Sequence, residues 1–231
     1  MSQVVDAAAS VDGRDRRWED HRQERRERLL AAAVSLIDRE GADVGVAAIA
    51  AEAGIPRSVV YKLFRDREDL DEQIRIRIIE EATATLAPLL VPRGTLREMV
   101  RVAAKTYVDW VTAHTNLHRF IGTGSTTRPT PGSPSIAGGK AAFAQNVADL
   151  VIVLLRHLDP SAKVSRGSAE NLAFALTGVT DSVVNRWLVA GRARSTKKEL
   201  IQFLTEASCG VILGAASVAG VGLDLDAPVS L

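Results

Sequence analysis

The sequence predicts an all-α protein, with an N-terminal three-helix domain built around a helix-turn-helix and a helical bundle after it. Three observations carry this. Apolar residues recur at helical spacing from Leu29 onward. Alanine is abundant while aromatic residues make up only 4%, a composition that favours helices over a β-sandwich. No stretch of useful length alternates apolar and polar residues as a half-buried strand would.

The elements follow in order. Residues 1–18 read as a flexible arm, because they show no apolar periodicity. A helix from about Glu19 to Glu40 places Leu29, Ala33, Leu36 and Ile37 in one apolar stripe, and Gly41 ends it. A short helix from about Val46 to Ala53 is broken by Gly54, and a second short helix spans about Arg57 to Phe64. Asp66, with Asp69 three residues on, is an N-cap for a long helix reaching about Leu86, which stops before Pro88 and Pro92. Thr95 opens a helix to about His114, and a brief helical stretch covers Leu117 to Ile121. Residues Gly122 to Gly139 are rich in Gly, Ser, Thr and Pro and read as a loop. Helices then run from about Lys140 to Leu158, Ser168 to Val189 and Thr196 to Val218, with a loose tail after Gly220. The domains implied are 1–18, the arm; 19–66, the helix-turn-helix; and 67–231, the bundle.

Composition narrows the function. The chain has 231 residues, enough for a substantial core, and 25% are charged, as in ordinary soluble domains. A net charge of +1 means that any nucleic-acid-binding surface must be local. The single cysteine, Cys209, excludes an intramolecular disulfide and a cysteine-cluster metal site. Asp6, Asp12 and Asp15 are wrong for a secretory signal, and the apolar run from Cys209 to Leu223 is short for a bilayer span. A cytoplasmic protein with no membrane partner is expected.

The informative segment is Ile49-Ala50-Ala51-Glu52-Ala53-Gly54-Ile55-Pro56-Arg57-Ser58-Val59-Val60-Tyr61-Lys62-Leu63-Phe64. Gly54 can take positive φ, so the second short helix leaves sharply across the first. Its far face shows Arg57, Ser58, Val59, Tyr61 and Lys62, and a helix of that size fits the DNA major groove. The domain also carries Asp38, Glu40, Asp43, Glu52, Asp66, Glu68 and Asp69. Affinity for a polyanion therefore calls on the arginines of the arm and first helix (Arg14, Arg16, Arg17, Arg22 and Arg25) and on two domains binding together.

The run from Ile49 to Leu70 resembles the signature of the TetR family of transcriptional regulators, with Ile49, Ala50, Ala53, Gly54, Tyr61, Phe64 and Leu70 at the expected places. The similarity covers residues 22 to 70. Three positions depart from the pattern: Pro56 replaces a usual serine, Gly45 a usual threonine and Arg67 a usual lysine. The resemblance implies phosphate contacts from Tyr61 and Arg67 and from the helix start at Gly45 and Val46. It leaves Arg57, Ser58, Val59 and Lys62 as base-reading candidates.

The resemblance further implies a repressor that holds a palindromic double-stranded DNA operator as a homodimer and releases it on binding a small-molecule inducer. The bundle then binds ligand and dimerises. The inner faces of its helices carry few charges, so the ligand is expected to be hydrophobic. Tyr107, Trp110, Val111, Phe120, Phe143, Val147 and Phe174 would line the pocket, with His114 and Asp181 for a polar end. Val184, Trp187, Leu188, Leu200, Phe203, Ala207 and Val211 would form the dimer interface. No cofactor is expected. His114 and His118 have helical metal spacing but no obvious third ligand, so no metal is assigned. Two other readings stay open: a DNA-binding regulator controlled by a partner protein, and a helical enzyme. No catalytic constellation is legible for the second.

Overall fold

A computed structural model of the chain describes residues 3–91, 93–123, 144–154, 156, 164–191 and 195–229. Nine α-helices are present among them: α1 (Gln3–Glu40), α2 (Val46–Glu52), α3 (Arg57–Leu63), α4 (Arg67–Leu86), α5 (Leu96–Ala113), α6 (Thr115–Thr123), α7 (Ala144–Leu154), α8 (Arg166–Val189) and α9 (Lys197–Val218). A short 3-10 turn, Ala87–Leu90, follows α4, and no strand occurs among the described residues.

The helix ends follow local chemistry. Asp66 accepts from the Asp69 backbone N–H at 2.8 Å and caps α4. Thr95 and Glu98 exchange side-chain and backbone hydrogen bonds at the start of α5, and Thr196 and Glu199 do the same at α9, each pair forming a capping box. Two expectations are corrected. α1 starts at Gln3 and not at Glu19, so the segment read as an arm is helical; the strong helix formers Ala7, Ala8 and Ala9 outweigh its lack of an apolar stripe. The tail after Gly220 is also not loose. Val221, Leu225 and Val229 are buried, the Arg97 N–H donates to the Leu225 carbonyl at 3.0 Å, and Val229 pairs with Gly94 at 2.7 Å.

The chain divides into two compact units. The first comprises residues 1–78 and 114–135; the second comprises 79–113 and 136–231. The boundary thus falls within α4, and α6 belongs with the N-terminal helices, an allocation that the sequence division at residue 66 does not contain. In the first unit α1 packs on α2 and α6, and α2 packs on α3. Leu29, Ala33, Leu36 and Ile37, the stripe read from the sequence, are buried, as are Ile49, Val60, Phe64, Leu70 and Ile74. In the second unit α9 packs against both α5 and α8. Its main core joins Val108 and Val111 of α5 to Val184 and Trp187 of α8 and to Leu200 and Leu204 of α9. α7 meets α8 through small residues, Ala144, Ala148, Ala169 and Ala173.

Candidate nucleic-acid interface

α2 and α3 are joined by a turn whose hydrogen bonds are fully accounted for. Gly54 takes φ +62°, its N–H donates to the Ala51 carbonyl at 3.0 Å, and the Ile55 N–H donates to Ala50 at 2.9 Å. This is the paired 6→1 and 5→2 pattern that closes a helix through a left-handed residue. Ile55 is buried behind the turn, so α3 leaves in a fixed direction. Gly45 and Pro56 cap α2 and α3 by backbone alone; neither start has a side-chain cap. The amides of both helix starts thus lack a competing side-chain oxygen, an arrangement suited to an anion.

One face of α3 is sealed and the other is open. Val60 and Leu63 are buried, with Phe64 just beyond them, whereas Arg57, Ser58, Tyr61 and Lys62 are exposed and Val59 is half-buried. Arg57 reaches Tyr61 one turn away: Nη2 donates to the phenol oxygen at 3.3 Å, and the guanidinium lies 5.8 Å from the ring centroid. The pair is loosely held and stays on the open face. At the start of α2, Gly45 is exposed and Val46 half-buried.

Two arginines position this face from behind. Arg26 of α1 lies over the Phe64 ring at 4.7 Å, donates to the Leu63 carbonyl at the end of α3 and donates to Gln73 Oε1 of α4 at 2.7 Å. It satisfies an end-of-helix carbonyl while tying three helices together. Sequence analysis gives Arg26 no role. The signal was there: residue 26 precedes Leu30, Ala33 and Ile37 on one helical stripe. Arg67 was expected to meet phosphate. In the structure its Nε donates to Asp71 Oδ1 at 2.8 Å and its Nη1 to the Val44 carbonyl at 2.9 Å. Asp71 is fully buried. Arg67 thereby braces the entry to α2 against α4, and its charge is largely spent inside the fold. Near it, the Arg65 backbone N–H holds the Asp69 carboxyl below the usual range.

The expected ligand-lining residues separate. Tyr107, Trp110 and Val111 share the main core of the second unit, and the Tyr107 hydroxyl donates to Asp181 Oδ1 at 3.4 Å. Burial, with the nearby Asp181 carboxylate, pushes the Tyr107 phenol well above its ordinary range. Val147 packs between α7 and α8. Phe174 is instead 52% exposed on α8, because the small residues around it on α7 and α8 take the inner positions. His114 and Phe120 belong to the first unit. There His114 Nδ1 lies 2.8 Å from Asp38 Oδ2, and the Asn116 side chain donates to the Asp38 carbonyl, fixing α6 to the end of α1. Phe120 is buried over the Arg75 guanidinium. Phe143, and residues 124–139 of the expected loop, lie outside the described residues.

The expected interface residues also divide. Val184, Trp187 and Leu200 are buried within the chain's own core, with Leu188 packed against it, so they offer little to a second surface. Phe203 is 57% exposed and Ala207 and Val211 are half-buried. Beside them Gly210, Leu213, Gly214 and Val218 are exposed on α9, and Phe174, Gly178 and Val189 on α8. α9 is long and apolar enough to cross a membrane by length and composition, yet its inner face is filled by α5 and α8.

Comparison with known proteins agrees with this geometry. The model of bacterial regulatory proteins of the tetR family matches residues 29–74, the segment containing α2, α3 and most of their supports. Uncharacterized HTH-type transcriptional regulators from two strains of Mycobacterium tuberculosis are each 29% identical over 214 residues, 91% of this chain and 86% of theirs. Among solved structures, a tetR-family transcriptional regulator from Streptomyces coelicolor superimposes with a TM-score of 0.64 at 24% identity, over 85% of this chain and 83% of that one. The transcriptional regulator FadR from Bacillus subtilis, solved with stearoyl-CoA, gives a TM-score of 0.58 at 14% identity, over 83% of this chain and 97% of that one.

Proposed function

We propose that the chain is a member of the tetR family of bacterial regulatory proteins and acts as a homodimeric repressor released from a near-palindromic operator by a hydrophobic small molecule. It is a DNA-binding transcriptional regulator and not an enzyme. The finer reading rests on one pairing of features: a single seven-residue reading helix, and an uncovered apolar face on α8 and α9. Seven residues reach only a few base pairs, so useful specificity requires two copies. The uncovered face supplies a means of holding them, since small residues such as Gly178, Gly210 and Gly214 let helices approach closely while Phe174, Phe203 and Leu213 bury area.

In this reading Arg57, Ser58, Val59 and Lys62 meet base edges, Tyr61 meets phosphate, and the helix starts at Gly45, Val46 and Arg57 offer backbone amides to phosphate. Two reading helices would sit about 34–36 Å apart to enter successive major grooves. The ligand would enter the second unit beside Tyr107, Trp110 and Asp181. The acyl ligand of the Bacillus subtilis neighbour supports a hydrophobic class. α4 has residues in both units, so a ligand that favours one setting of it shifts the spacing of the reading helices. Such a regulator works in the cytoplasm, on its own upstream DNA.

Sizing with scattering detection, followed by titration of a fluorescent upstream fragment with and without stearoyl-CoA, tests this. The expected result is a dimer, saturable binding to the upstream fragment over random DNA, and release on adding the acyl ligand. A monomer at micromolar concentration that binds both DNAs alike would overturn the reading.

A further inference from the structure

α4 carries a charged ladder at helical spacing, Arg67, Asp71 and Arg75, of which Asp71 and Arg75 are buried and Arg67 is half-buried. Arg67 closes on Asp71 Oδ1, and Arg75 Nη1 donates to Glu72 Oε2 at 3.0 Å. The rest is uncompensated. Asp71 is 0% and Arg75 2% exposed, yet Asp71 Oδ2 and both Nε and Nη2 of Arg75 are buried with no hydrogen-bond partner among the described residues. The large majority of buried polar groups in native proteins are hydrogen-bonded, and a buried guanidinium is among the costliest to leave unsatisfied.

Which atoms are left over is informative. Nε–H and one Nη2–H point the same way from the guanidinium and form its side-on fork, the edge that takes both oxygens of a carboxylate. Glu72 uses the other nitrogen. Phe120 of α6 covers a face of the guanidinium at 5.2 Å, and Ile74 and Ile78 are buried on the same helix. One turn away, Asp71 Oδ2 is an acceptor waiting for a donor. We propose that the first unit holds a ligand site of its own, in which Arg75 binds a carboxylate through its side-on fork and Asp71 Oδ2 accepts from a hydroxyl or ammonium on the adjacent carbon: a small apolar 2-hydroxy or 2-amino acid.

Charge balance favours the amino acid over a bare anion, and hydrogen bonding favours the hydroxy acid. Arg67, Asp71, Glu72 and Arg75 already sum to zero, so a carboxylate brings one uncompensated charge, which an ammonium cancels; a hydroxyl leaves that charge but supplies the donor that Asp71 Oδ2 lacks. Such a ligand would join α4 to α6 inside the unit that carries the reading helix. This site is independent of any hydrophobic ligand in the second unit.

The test uses the full-length protein with norleucine, 2-hydroxyhexanoate and the neutral hexanamide as probes. Arginine Nε–H resonances are followed by proton–nitrogen NMR, with Arg75 assigned by the signal lost in Arg75→Lys. The expected result is a saturable downfield shift of the Arg75 Nε–H with one or both acids and none with hexanamide. Binding should weaken at least about tenfold in Arg75→Lys, which keeps the charge but loses the fork. Calorimetry on Arg75→Met should show no binding of the acids. No shift with either acid, an equal shift with hexanamide, or undiminished affinity in Arg75→Lys would overturn the proposal; the wild-type titrations decide it even if Arg75→Met fails to fold.

Discussion

The two units of the chain present opposite kinds of surface. On the first, the open face of α3 is short and polar, with Arg57, Tyr61 and Lys62 exposed over a sealed apolar side. On the second, α8 and α9 leave Phe174, Val189, Phe203, Leu213 and Val218 uncovered. A polar cationic face gains by meeting a polyanion, whereas an apolar face gains only by meeting another apolar surface. One chain therefore carries two unfinished surfaces, and in the proposed function the first reads DNA and the second assembles the reader.

Arg67 is where that comparison is easiest to break. Its guanidinium lies on the DNA-facing unit but is spent on buried Asp71 and the Val44 carbonyl. Arg67→Ala should then lower folding stability by about 3–5 kcal/mol, because it strands a buried carboxylate. Replacing the pair together, Arg67→Met with Asp71→Leu, should recover most of the loss. Urea unfolding of both variants checks this. A stable Arg67→Ala whose DNA affinity merely loses about one unit of salt slope would return Arg67 to the phosphate-contacting role.

Neighbouring residues on α9 sharpen the contrast between core and interface. Leu204 is fully buried and Phe203, one residue earlier, is 57% exposed. Leu204→Ala should cost about 2–5 kcal/mol of stability. Phe203→Ala should leave the stability of the folded chain within about 0.5 kcal/mol but weaken self-association by about 1–3 kcal/mol. Equilibrium sedimentation alongside urea unfolding separates the two. Equal effects of both substitutions on both measurements would mean that the exposed face is not an interface.

On the polar face the expected changes are smaller and concern DNA only. Lys62→Ala and Arg57→Ala should each cost about 1–3 kcal/mol on the specific site, less on random DNA, and leave thermal unfolding unchanged. Tyr61→Phe should weaken binding to all sequences alike. Competition assays with specific and random fragments decide whether α3 divides its labour this way.

The two surfaces were not equally legible in the sequence. α2, α3 and the turn at Gly54 could be read to within a residue, because their chemistry is local: a glycine at positive φ, and apolar anchors at Ile49, Val60 and Phe64. The bundle's helices could be placed by caps and periodicity, but not the roles of their faces. Trp187 and Phe203 look alike in a sequence, and only the packing of α5 against α8 and α9 decides that one is core and the other bare. The settled tail has the same cause. Leu225 and Val229 gain order through backbone bonds to Arg97 and Gly94, more than a hundred residues away, which no local pattern announces. Arg67 and Arg26 were legible as charges, but their partners Asp71, Gln73 and Phe64 were not.

The smallest effect lies in the core of the second unit and appears only in alkali. Burial, and then the Asp181 carboxylate, hold the Tyr107 phenol protonated well above its ordinary value near 10. In the unfolded chain the same phenol ionises near pH 10. The native state therefore retains a proton that the unfolded state has lost, and unfolding releases up to about one proton in that range. Stability is full below pH 10 and falls as pH rises beyond it. Burial raises the Cys209 thiol as well, so that residue contributes a loss of the same sign from a lower starting pH. Tyr107→Phe isolates the phenol. It removes the hydrogen bond to Asp181 at every pH, a roughly constant cost of about 1 kcal/mol, but it should also flatten the decline above pH 10. Unfolding free energies at pH 9, 10 and 11 for both proteins give the answer: the gap between them should narrow as pH rises. A gap that stays constant would mean that the Tyr107 hydroxyl titrates as freely in the folded chain as in the unfolded one, and that the core around it is open to water.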